Sequence, residues 1–163
     1  MNRRRFLTLA TTVPVATSGC IEELPFLNNS NEIEAALYEQ LNDIRDEHDL
    51  RQLERDAPLD TAARSHSEDM AERDFYDHTN PDGDGPAHRM ADEGRQCDPW
   101  EVIAAANGYT TGAAEDMLDS LMSSPPHREV ILEPSLTHVG IGVALAGDGD
   151  VLGTIKFCSI AGL

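Results

Sequence analysis

Apolar side chains recur as Ile33, Leu37, Leu41 and Ile44, a spacing that lays one stripe along an α-helix. Ser30 or Asn31 stands where its N-cap belongs. A second helix is predicted from about Leu59 to Asp74. Leu59, Ala62, Ala63, His66 and Met70 face inward, and Glu68, Asp69, Glu72 and Arg73 face mostly outward. Thr79 to Pro86 (TNPDGDGP) is turn chemistry throughout, and Pro86 opens a short helix that Gly94 ends. Glu101 to Ala106 (EVIAAA) reads as a buried strand. A helix over Ala113–Met122 stops at Ser123-Ser124-Pro125-Pro126, and a short one over His127–Leu132 stops before Pro134. The period then changes to two. From His138 to Ala146, Val139, Ile141, Val143 and Leu145 alternate with Gly140, Gly142, Ala144 and Ala146, giving one face of large side chains and one nearly bare face. The bare face admits a helix close to the sheet. Gly147-Asp148-Gly149-Asp150 turns the chain, and Val151–Ile160 returns as the partner strand. Helices first and a hairpin last predict an α+β fold, a sheet covered by helices.

Residues 1–20 read as an address. Arg3-Arg4-Arg5-Phe6-Leu7 matches a twin-arginine export signal, and the mildly apolar run from Thr8 to Ala16 is far short of the roughly 18 residues that span a bilayer. It ends in Thr17-Ser18-Gly19-Cys20, small residues before a cysteine, as in a lipobox whose cysteine is lipidated. The other reading is a different cleavage with Cys20 a plain thiol. Residues 21–31 carry no period and are expected to tether a domain spanning 32–163 to the membrane. With Cys20 assigned to lipid, Cys97 and Cys158 remain in an oxidising setting, where a disulfide between them is expected. Two free thiols are the alternative.

The 163 residues carry 12 Lys+Arg against 30 Asp+Glu, a net charge of −18, with 40% hydrophobic residues. The chain has enough apolar material for one core and no basic patch for nucleic acid. Only Lys156 is a lysine. Acid-rich, lysine-poor surfaces suit concentrated salt, where screening removes self-repulsion, so a salt-loving source is expected, with an ordinary acidic protein the alternative.

There is no G-x-S-x-G elbow, no H-E-x-x-H and no phosphate-binding glycine loop. Among six histidines, His48 reads as solvated, His66 as a core residue on an apolar helix face, and His88 and His138 as helix-start and strand-start residues. His78 and His127 stand at the edges of Pro- and Gly-rich loops, where side chains line clefts.

The motifs Leu41-Asn42-x-x-Arg45, Ala63–Met70 (ARSHSEDM), Phe75–Gly83 (FYDHTNPDG), Ser123–Leu132 (SSPPHREVIL) and Leu136–Val143 (LTHVGIGV) follow in order. Together they resemble the CAP superfamily, the SCP-like domains of cysteine-rich secretory, antigen 5 and pathogenesis-related proteins, in its bacterial and archaeal branch. The resemblance covers about residues 32 to 163. It implies an α-β-α sandwich with a central antiparallel sheet, and a cleft of two histidines and two acids able in some members to hold a divalent metal. His78 and His127 match the histidines. Glu101 in Trp100-Glu101-Val102 matches the acid of the family's Gly-Glu-Asn without its neighbours, and no carboxylate stands near Ser123 or Ser124 for the second. His78, Glu101 and His127 are therefore the candidate ligands for zinc or another divalent metal, with water in the fourth position. A metal-free His–Glu cluster is the alternative.

These features predict an exported monomer, lipid-anchored on the extracellular face of the membrane or secreted. Its expected role is binding an envelope ligand or lipid rather than catalysis. The alternatives are a metal-assisted hydrolase of an envelope peptide or polymer, with Glu101 as base on metal-bound water, and a lipid carrier.

Overall fold

The computed structural model describes residues 25–147 and 149–160. The export signal, Cys20 and residues 21–24 lie outside the described residues. Helix α1 (Pro25–Glu47) begins earlier than expected, so residues 25–31 are helical rather than a linker. The polar run that looked like a tether is used in packing: the Asn29 amide donates to the Tyr109 carbonyl and the Ser30 and Tyr109 hydroxyls bond each other.

Strand β1 (Glu54–Arg55) follows, then α2 (Ala57–Arg73), capped by Asp56, whose carboxylate accepts from the Leu59 N–H at 3.1 Å. Helix α3 (Pro86–Asp92) has proline at its first position. Next come β2 (Trp100–Asn107), α4 (Gly112–Ser123) and α5 (Pro125–Ile131). The hairpin of β3 (His138–Leu145) and β4 (Asp150–Cys158) closes the chain.

The sheet order is β1-β3-β4-β2. β2, β4 and β3 are antiparallel as expected, but β1 runs parallel to β3, so the sheet is mixed. Beyond the two-residue β1, carboxylates take over its role as acceptors for β3. Asp60 accepts the Ile141 N–H at 2.8 Å, and Glu34 accepts the Val143 N–H at 3.2 Å. This edge is closed by side chains rather than left for another strand.

Two layers of helix cover the sheet, and their chemistry differs. Val139, Ile141, Val143, Ile155 and Phe157 pack with Ile33, Leu37 and Leu41 of α1 and with Ala114, Met117, Leu118 and Leu121 of α4 in one apolar core. The other face carries Gly140 and Gly142, against which α2 lies. A Cβ at Gly140 would overlap the backbone of Leu59 and Asp60, and one at Gly142 the backbone of Ala63 and Arg64. The bare strand face is thus a seat for a helix backbone. Here the interior is polar: the Ser67 hydroxyl bonds the Gly142 carbonyl and Thr154, both at 2.9 Å.

The Leu41-Asn42-x-x-Arg45 motif is scaffold. Asn42 exchanges two hydrogen bonds with the Leu53 backbone, at 3.2 and 2.7 Å. The fully buried Arg45 donates to the carbonyls of Arg51, Ile131 and Glu133, fastening α1 to the end of α5. A disulfide joins Cys97 to Cys158, with Cα atoms 5.7 Å apart. It ties the segment leading into β2 to the end of β4.

Candidate functional site

Glu101 lies on β2 opposite Lys156 on β4, and Lys156 lies opposite Gly140 on β3. Register partners share a face, so this row looks toward α2, the polar side of the sheet. The Glu101 side chain is 1% exposed and that of Lys156 is 0% exposed, and the Lys156 ammonium is ion-paired with Glu101 Oε2. The Arg89 guanidinium of α3 reaches both Glu101 oxygens at 3.2 Å. His78 Nδ1 bonds Glu101 Oε1 at 2.8 Å.

Burial alone would raise the Glu101 pKa. The His78 hydrogen bond and the charges of Lys156 and Arg89 outweigh it and hold the carboxyl at about 2. An ionised carboxylate only accepts, so Nδ1–H of His78 is the donor and its Nε2 is left as the free edge. The His78 side chain is 42% exposed. The loop carrying it is internally bonded. Thr79 N–H donates to Asp77 Oδ1, Asp82 and Asp84 N–H donate to Asn80 Oδ1, and Gly83 takes a φ of 93°. Arg89 adds bonds to the His78 and Asp84 carbonyls, at 2.8 and 2.7 Å. His78 is therefore held by side chain and backbone at once.

His66, fully buried on α2, is a core histidine as expected, yet its Nε2 lies 4.0 Å from Glu101 Oε1. Burial lowers its pKa to about 4, so it is neutral near pH 7. Its Nε2–H donates to the Asp77 carbonyl at 3.0 Å.

His127 sits half-buried on α5, which packs against α4 and β2. No hydrogen bond or ion pair joins it to His78 or Glu101 among the described residues. The structure thus hydrogen-bonds two of the three candidate ligands, His78 and Glu101, to each other. Sequence reading missed Lys156 and Arg89. A signal for Lys156 was present: the one lysine of the chain lies between Ile155 and Phe157, inside an apolar strand.

The Glu101 oxygens themselves do not fit a divalent metal. An ion at carboxylate-bonding distance, roughly 2.0–2.2 Å, would stand beside an ammonium and a guanidinium already bonded to the same oxygens. His78 turns its Nδ1–H toward Glu101, so Nε2 is the nitrogen left with a lone pair. Among the described residues no group of three or more His, Cys, Asp or Glu is arranged to hold a metal ion.

Comparison with known proteins places this geometry in context. The pattern described as "Cysteine-rich secretory protein family" (CAP) matches residues 38–160. The uncharacterized protein YkwD of Bacillus subtilis is 29% identical over 116 residues, covering 70% of this chain and 43% of that protein. The chain thus spans less than half the length of that curated relative. Among solved structures, an outer surface protein of Borrelia burgdorferi superposes with a TM-score of 0.67 at 20% identity, covering 80% of this chain and 94% of that one. An extracellular protein containing a SCP domain from Bacillus anthracis gives 0.63 at 22% identity, covering 78% and 41%. At these identities the structural likeness speaks for the fold alone.

Proposed function

The chain belongs to the cysteine-rich secretory protein family, and on that premise we propose that it is a binding module on the outer face of the cell membrane. The anchor in this reading is a lipid on Cys20 after twin-arginine export, and the setting is a salt-rich medium that suits the net charge of −18. Proteins of similar fold include one named as an extracellular protein and one named as an outer surface protein.

The observation that carries this reading is the commitment of Glu101. Both its oxygens accept from cations, its side chain is 1% exposed, and its pKa is about 2. Such a carboxylate is too weak a base and too enclosed to activate water, which removes the residue that a metal-assisted hydrolase would use. What faces solvent is the edge of His78 turned away from Glu101. An exposed, oriented imidazole suits hydrogen bonding to a peptide or polymer ligand of the envelope. The lipid-carrier reading is weaker. A groove of about 590 Å³ lined by Met70, Phe75, Tyr76 and Leu152 is interrupted by Asp74 and Asp150.

The test is binding of the purified protein to isolated cell envelope in molar potassium chloride, with and without EDTA. Saturable binding that EDTA leaves intact and His78→Ala removes supports the module. Binding abolished by EDTA, or release of soluble envelope fragments, supports the hydrolase instead. Cys20→Ser should move the protein from membranes to medium.

A further inference from the structure

We propose that Lys156 is the resident cation of this cleft: its ammonium, bonded inside the Glu101 network, stands in place of a divalent ion and makes the orientation of His78 independent of metal. A chain with 12 cationic side chains uses lysine once, and that one lysine is fully buried. Lysine heads normally stay in water, and a buried one needs a partner of opposite charge. The β2–β4 register supplies it by setting Glu101 directly opposite. Gly140, the β3 register partner of Lys156, adds no side chain to this row beneath α2. Arg89 approaches the same oxygens, so the carboxylate meets two positive groups from two elements. Burial lowers the Lys156 pKa from the usual lysine value, Arg89 adds to the fall, and Glu101 works against it. Glu101, thus neutralised, keeps one oxygen for the Nδ1–H of His78. Lys156 is in this sense a positioning residue, acting on His78 through Glu101. The inference rests on the cleft geometry. Envelope binding can fail while it stands.

The single lysine makes the test direct. Native protein is treated with an amine-acetylating reagent in molar salt, and modification of the Lys156 peptide is followed by mass spectrometry. Lys156 is expected to react at least ten-fold more slowly than free lysine, at a rate that millimolar zinc leaves unchanged. Glu101→Gln is expected to speed it at least ten-fold. Zinc that accelerates wild-type labelling would show metal displacing the ammonium and would overturn the proposal. So would labelling as fast as that of free lysine. In Lys156→Met, the His78 imidazole resonances are expected to shift from those of the wild type, and a folded variant with them unmoved contradicts the proposal. If that variant does not fold, the wild-type labelling decides alone.

Discussion

Glu101 and Lys156 are register partners on adjacent antiparallel strands, and their side chains form an ion pair closed off from solvent. Breaking a buried pair by removing one member costs about 3–5 kcal/mol, because the other charge is left uncompensated, whereas replacing both is far milder. Glu101→Gln and Lys156→Met should each lower unfolding stability by about that amount. The double variant should lose less than the sum. Chemical denaturation of the four proteins in high salt measures this, and additive losses would mean that the two groups act separately.

Acid should weaken the fold in two windows. His66 falls from 6.5 to about 4 on folding, so between those values the unfolded chain binds the extra proton. Its contribution is complete above pH 6.5 and is lost as pH falls toward 4. Glu101 falls from 4.5 to about 2, and its contribution is lost across that lower range. Stability measured from pH 8 to pH 3 should begin to drop near pH 6.5. His66→Gln should flatten the upper window and leave the lower one.

The glycines of β3 carry a sharper expectation. Gly142→Ala places a methyl on the backbone of Ala63 and Arg64 and should cost more than about 3 kcal/mol, since a helix must move. Gly147→Ala, with open space around it, should stay within about 0.5 kcal/mol. Thermal melts of the two variants compare them directly.

Reduction of the Cys97–Cys158 bridge, which closes 61 residues, should cost roughly 4 kcal/mol in the chain-entropy account. Denaturation with and without reductant tests it. Quantifying thiols in denatured, unreduced protein should find neither cysteine free.

Much of this architecture is written in short-range pattern. The Ile33-Leu37-Leu41 stripe, the glycine face of β3 and the turn chemistry before Pro86 each act within a few residues, and each appears where the pattern places it. Strand β1 does not, because two residues cannot show a period and its pairing depends on His138 and Val139, more than 80 positions away. The helical start of α1 was hidden for a related reason: Asn29 and Ser30 look like linker until Tyr109 bonds them. In the site, His78 and Glu101 were legible through the family motifs. Lys156 and Arg89 were not, since the partners of a buried carboxylate are set by strand register and helix docking. His127 shows the converse. Its motif marks a helix start, and among the described residues it makes no hydrogen bond or ion pair to the Glu101 network.

One buried ammonium holds the cleft acid, and ¹⁵N-lysine labelling tests this most directly because the chain yields a single lysine side-chain resonance. A slowly exchanging Lys156 ammonium signal near pH 7, lost in Glu101→Gln and unmoved by zinc, is the predicted result. A signal averaged with water, or one that shifts as zinc is added to the wild type, would contradict the account.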